Sequence, residues 1–220
     1  MSAPGGTGFL YPFLDAAERD AGPLLEDLAR SAEAKAAESA ALRANVLAAS
    51  EDELSAVGLA MAARFDAGGR LLAMGNGGSS TDAASLVTLF GDPPAGRPLP
   101  ARSLADDLAV LTALGNDVGF EVVFLRQVIA QVEPSDMVVG FSTSGGSKNL
   151  LLAFDEACER GCLTVGLAGY QGGQMAVSPS VQHCFVVPSQ SIHRIQETQA
   201  ALSCRLWEVV QAALRPLGPS

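Results

Sequence analysis

Two short segments of this 220-residue chain bring hydroxyls and glycines together just where a helix is about to begin. The first is Gly75-Asn76-Gly77-Gly78-Ser79-Ser80-Thr81-Asp82, between the apolar run 70–74 and residues 83–90. The second is Ser142-Thr143-Ser144-Gly145-Gly146-Ser147, between the apolar run 137–141 and residues 148–160. A helix N-terminus exposes unpaired N–H groups and the positive end of its dipole, so such a loop can cradle a phosphate with neutral donors alone. Ser79 or Ser142 can also serve merely as an N-cap. Two such loops, both at the carboxyl edge where α/β sheets take their ligands, favour the anion site.

Other loop chemistries fit less well. GNGGSS starts like a dinucleotide loop but has Ser80 where the third glycine belongs, and Lys148 is followed by Asn149 instead of the Ser or Thr of a nucleotide-triphosphate loop. Ser142 lies in Gly-Phe-Ser-Thr-Ser, without the closing glycine of a hydrolase elbow. For proton transfer the chain offers two histidines, His183 and His193. His183 reads as a structural histidine at a strand. His193 precedes Glu197 by one helical turn, so the two side chains can share a face, and a carboxylate within reach would orient the imidazole. Glu197 has two competing uses, at the helix start or as a partner of Arg194.

The elements that position these groups follow from pattern. Residues 15–65 are rich in Ala, Leu, Glu and Arg and lack proline after Pro23, which predicts two or three helices, with Ser50 and Glu53 as a capping box that restarts one. Leu24, Leu25, Leu28 and Ala32, then Leu42, Val46 and Leu47, form apolar stripes at helical spacing. Strands are expected at 70–74, 137–141, 162–167 and 184–187, the last two joined through Gly169-Tyr170-Gln171-Gly172-Gly173. Residues 91–99, with Pro93, Pro94 and Pro98, read as a surface loop; Arg97 and Arg102 beside it are either solvated or within reach of an anion. Helices are expected near 106–114 and over 193–214, the latter ended by Pro216. Strands alternating with helices give an α/β fold with a parallel sheet covered on both faces. The expected organisation is a tail at 1–14, N-terminal helices for oligomer packing at 15–66, one sheet domain at 67–215 and a tail at 216–220.

Composition narrows the class. With 48% hydrophobic and 17% charged residues, disordered, collagen-like and coiled-coil chains are excluded. No apolar run reaches the length of a membrane span and the N-terminus lacks signal-peptide features, so a cytoplasmic protein with no membrane partner is expected. A formal charge of −10, with lysine only at Lys35 and Lys148, argues against nucleic acid as a partner. Cys158, Cys162, Cys184 and Cys204 include no CxxC pair and read as buried thiols, not a disulfide frame or zinc knot.

The stretches GNGGSSTD (75–82), TALGNDVGFEVVF (112–124), STSGGS (142–147), LAGYQGG (167–173) and RIQE (194–197) together resemble the SIS (sugar isomerase) domains, specifically the phosphoheptose isomerases. The resemblance implies a flavodoxin-like, doubly wound, three-layer αβα domain with a five-stranded parallel sheet, an N-terminal helix completing a homotetramer, and sites between subunits. It implies that Ser79, Ser142, Thr143, Ser144 and Ser147, with Gly77 in the first loop, hold a sugar phosphate. Asn76, Asp117 and Gln196 match positions lining the sugar. The implied reaction is aldose–ketose isomerisation through an enediol.

Those isomerases carry a metal-ligand histidine and a basic glutamate on the helix after the first loop, and a catalytic histidine on the last helix. This chain has Ser85, Leu89 and Cys204 there, and Gln199 replaces another common histidine. The reading is therefore a sugar-phosphate isomerase without the usual metal and with no cofactor, in which His193 and Glu197 carry the chemistry. The alternatives are a non-catalytic sugar-phosphate-binding regulatory or assembly protein, or an inactive partner of an active paralogue. Light scattering at micromolar concentration is expected to give the mass of a tetramer; a monomer would remove the shared-site arrangement.

Overall fold

Short apolar runs bounded by glycines have the length of buried strands, and each of the four expected ones is a strand. The computed structural model describes residues 22–214, so the expected tails at 1–14 and 216–220 lie outside the described residues. In chain order the elements are α1 (Gly22–Asp66), β1 (Leu71–Gly75), α2 (Gly78–Gly91), β2 (Ala101–Ser103), α3 (Leu108–Asp117), α4 (Val123–Gln131), β3 (Met137–Ser142), α5 (Lys148–Glu159), β4 (Leu163–Gly169), β5 (His183–Val187) and α6 (Ile192–Ala213), with a 3-10 turn at Phe120–Val122 before α4. The five strands form one parallel sheet in the order β2-β1-β3-β4-β5. β1, β3 and β4 are buried along their whole length, which is why their sequences are apolar throughout and do not alternate.

Successive residues of a strand point to opposite faces, and the core divides accordingly. Leu71, Ala73 and Val139 face a layer containing Leu54, Met61, Leu86, Phe90 and Leu206. Leu72, Met74 and Val138 face a second layer containing Phe124, Val128 and Phe154. The expected three-layer αβα arrangement is thus observed.

The expectation of two or three helices over 15–66 is corrected: residues 22–66 form one continuous helix, α1. Ser50 and Glu53 lie inside it, because the surrounding Ala, Leu and Glu propagate the helix without a restart. Glu53 instead faces the Nδ1 of His183 at 3.2 Å, while Leu54, Val57 and Met61 pack in the core. The chain divides into two units, residues 1–41 and 42–220. In the first, Leu24, Leu25 and Leu28 on α1 are exposed. Among the described residues no helix is long and apolar enough to cross a membrane.

The second unit is tied at the edge where its strands begin. Asp136, 1% exposed just before β3, accepts from the backbone N–H of Arg70 (2.8 Å), from the Arg70 guanidinium (2.6 Å) and from the Glu133 N–H (3.0 Å). Arg64 of α1 donates to the carbonyls of Pro134, Asp136 and Gly161 at 2.6–3.2 Å. Burial opposes ionisation of Asp136, but the hydrogen bonds from Arg70 and Glu133 outweigh it and hold the carboxyl below its ordinary range. The stabilisation is therefore present above the unfolded carboxylate value of about 4 and is lost as pH falls through the lower folded value. Asp136→Ala is expected to cost about 3 kcal/mol at pH 7. The gap to wild type should narrow in acid, as denaturant unfolding at several pH values will show.

Candidate functional site

Register brings the loops together at the opposite edge. Gly75 of β1 stands beside Phe141 of β3, and Ser142 beside Ala168 of β4, so the segments after β1, β3 and β4 leave the sheet as neighbours. Ser142 ends β3 and is buried; its hydroxyl lies 2.9 Å from that of Ser147 and 3.4 Å from that of Ser144. The Gly145 N–H donates to Ser142 Oγ at 3.1 Å and the Gly146 N–H to Ser144 Oγ at 3.2 Å. Three hydroxyls thus converge in front of α5. Ser147 occupies the position before that helix, yet its hydroxyl makes no capping bond. Gly77 takes the same place before α2, where no side chain caps either. The N-cap reading of Ser79 and Ser142 is therefore corrected: Ser79 lies buried in the first turn of α2, and Ser142 belongs to the strand.

Asn76 and Asn149 join the two loops. Each amide donates to the other's oxygen at 2.9 Å, which fixes the start of α5 against the turn after β1. Lys148 pairs with Glu121 at 2.6 Å on the surface, so its charge is committed away from the hydroxyls. Thr143 is half-buried on the same loop. Arg97 pairs with Asp66 at 3.1 Å, while its backbone exchanges hydrogen bonds with the Gln211 amide at 3.1 and 2.8 Å, so the proline-rich loop is pinned to α6. Arg102 is exposed on β2.

A cleft runs between α2 and α6. Gly78, Thr81, Asp82, His193, Gln196, Glu197 and Ala200 line its polar end. His193 and Glu197 share this cleft, as their spacing requires, but both are exposed and no hydrogen bond joins them. The group that is held there is Asp82, whose Oδ2 accepts from Gln196 Nε2 at 2.8 Å. Burial pushes the Asp82 carboxyl above its ordinary range, and the Gln196 bond only partly offsets this. Asp117 is exposed at the end of α3; it accepts from the Asn116 amide at 2.7 Å, and no hydrogen bond ties it to either loop.

Sequence reasoning passed over Asp82 and Asn149. A signal for Asp82 existed: it stands three residues after Ser79 on the same helix, one turn from the glycine loop. Asn149 carried no signal of its own, because its partner is 73 residues away.

Comparison with known proteins identifies the family and the fold. The SIS domain model matches residues 36–169. The phosphoheptose isomerase of Solidesulfovibrio magneticus is 41% identical over 192 residues, covering 83% of this chain and 91% of that protein. That of Aquifex aeolicus is 42% identical over 148 residues, covering 66% and 75%. The chain belongs to the SIS domain family, alongside the phosphoheptose isomerases. Solved phosphoheptose isomerases from Francisella tularensis (28% identity, TM-score 0.77, covering 83% of this chain and 97% of that one) and Neisseria gonorrhoeae (31%, 0.77, 84% and 99%) share the fold.

Within this SIS domain Ser85, Leu89 and Cys204 come together. Ser85, Leu89 and Cys204 line one cavity of about 230 Å³ with Asp82, Leu86, Ala200 and Ser203. Its lining does not fit a metal ion: Leu86, Leu89 and Ala200 offer hydrocarbon, the Asp82 carboxylate is engaged by Gln196, and Cys204, which is exposed and not buried as its sequence suggested, is left with two serine hydroxyls as the other donors. Because its pKa is raised, the Asp82 carboxylate lowers stability as pH rises through its folded value, and this contribution vanishes once the group is protonated. Asp82→Asn, which keeps an acceptor for Gln196, is expected to be at least as stable as wild type at pH 7, with the difference gone near pH 3. Unfolding curves at the two pH values measure this.

Proposed function

We propose that this chain binds a phosphorylated sugar, with the phosphate on loop 142–147 and the sugar between the first loop and the α2–α6 cleft, and that it interconverts aldose and ketose forms. The observation that carries the reading is the convergence of the Ser142, Ser144 and Ser147 hydroxyls on a helix start that no side chain caps. That combination of neutral donors and a positive dipole end suits a phosphate dianion, and it needs no lysine or arginine. The relatives above are phosphoheptose isomerases, which supports a sugar phosphate as the ligand class. Ser79, Thr143 and the N–H of Gly77 complete the phosphate end; Asn76, Asp117 and Gln196 serve the sugar hydroxyls, Asp117 from a neighbouring copy.

Isomerisation requires a base that takes a proton from the carbon beside the carbonyl and returns it to the next carbon through an enediol. His193, Glu197 and Asp82 line the cleft that supplies it, and the chemistry runs through these groups without a metal. Asp82 lines the same cleft as His193, and a carboxyl whose charge burial disfavours is suited to exchange a proton, which supports Asp82 beside His193 as a proton-transfer group. The working form is a cytoplasmic homotetramer, with the exposed Leu24, Leu25 and Leu28 of α1 supplying apolar contact between copies. One observation favours a second reading, a binding or assembly protein: the cavity at Ser85, Leu89 and Cys204, where the resemblance implies catalytic groups, is largely apolar.

Proton exchange in deuterated water with heptose, hexose and pentose phosphates separates the two. Wild type is expected to place deuterium in at least one sugar, and His193→Ala or Asp82→Asn to slow this by about 10²–10⁴ while binding persists. A sugar phosphate that binds but never exchanges would establish the binding protein instead. Ser144→Ala is expected to weaken binding by about ten- to a hundred-fold, equivalent to about 1.5–3 kcal/mol, without lowering the melting temperature.

A further inference from the structure

The segment Gly169-Tyr170-Gln171-Gly172-Gly173 after β4 contributes none of the hydroxyls or carboxylates described above, yet its backbone is pressed against loop 142–147. Gly145 has φ +62, and a Cβ there would overlap the Gly172 carbonyl oxygen; a Cβ on Gly173, φ +54, would overlap the Ser144 carbonyl oxygen. No side chain fits between the two chains, so only glycine permits the approach. The Met175 N–H donates to the Gly145 carbonyl at 2.9 Å and locks the pair. The supporting segment is anchored on both sides of the sheet. Tyr170, held at φ +51, packs against one core layer, and the fully buried Met175 belongs to the other. A turn closed by the Gly172 N–H on the Gly169 carbonyl at 2.8 Å stiffens it further.

The left-handed turn at Gly145 is what lets its N–H reach Ser142 Oγ and the next N–H reach Ser144 Oγ. The aim of the hydroxyls therefore depends on where Gly145 is held. We propose that residues 169–175 are the positioning element of the phosphate site: a strut that holds loop 142–147 in its anion-ready shape before the ligand arrives. The inference rests on the reading of loop 142–147 as a phosphate site. It assigns residues 169–175 to the affinity for the phosphate group itself and not to the choice of sugar.

The test is titration of the full-length protein with inorganic phosphate and, separately, with a pentose phosphate. Gly173→Ala is expected to weaken both by the same factor, about ten-fold or more, since displacing a binding group by about an ångström has effects of that order. Gly161→Ala is the control: at φ +83 it carries comparable backbone strain, but its nearest contact is Pro134 Cβ at 3.8 Å, remote from the loop. It should lower the melting temperature and leave phosphate affinity unchanged. Unaltered phosphate binding by a folded Gly173→Ala protein would overturn the strut. Absence of phosphate binding by wild type would overturn the site reading and the strut with it. If Gly173→Ala does not fold, hydrogen exchange on wild type decides: saturating phosphate is expected to slow exchange in 169–176 together with 142–150, and protection confined to 142–150 would overturn the proposal.

Discussion

Three adjacent parallel strands, β1, β3 and β4, end within two residues of one another, and what the protein presents at that edge follows from their alignment. Parallel pairing sends all three following loops to the same side, which a hairpin topology would not. The two edges of the sheet then differ in kind. Where the strands begin, charge closes the structure: Asp136 is surrounded by donors from Arg70 and Glu133, and Arg64 collects three carbonyls. Where they end, the donors and acceptors are neutral, namely hydroxyls, the Asn76–Asn149 amide pair and helix N–H groups. In a chain of formal charge −10, an anion is best received by such oriented dipoles, which add no cation that the acidic surface would draw away.

The polar end of the α2–α6 cleft lies beside this neutral edge. Asp82 is placed where its charge is disfavoured, with a single donor, Gln196, to hold it. Further along, Leu86 and Leu89 make the same cleft apolar. The cleft thus joins one held carboxylate to an apolar extension.

How legible this was in the sequence depends on how local each feature is. β1, β3 and β4 were readable because strands buried on both faces must be apolar throughout, β5 because a short apolar run follows a glycine-rich turn, and the expected limits of all four agree with the observed ones within about two residues. The serines of loop 142–147 were readable because type and position coincide. β2, three residues at the sheet edge inside a proline-rich stretch, has no pattern long enough to detect, and the nine-residue α4 was not expected from the sequence. Helix α1 was misread as several because Ser50 and Glu53 have the spacing of a capping box, whereas a continuous run of helix-forming residues carries the helix through them. The long-range pairs, Gln196 with Asp82 and Gln211 with Arg97, each span 114 residues and exist only once the sheet is assembled. The contact of Gly145 with Gly173 is likewise a backbone fact that no side-chain pattern announces.

The most direct measurement is a crystal structure of the protein grown with a sugar phosphate. The phosphate oxygens are expected within hydrogen-bond distance of the Ser142, Ser144 and Ser147 hydroxyls and the first N–H groups of α5, with the sugar carbons directed toward Asp82 and His193. A sugar phosphate seated elsewhere, with loop 142–147 unliganded, would contradict the assignment of this edge as the site.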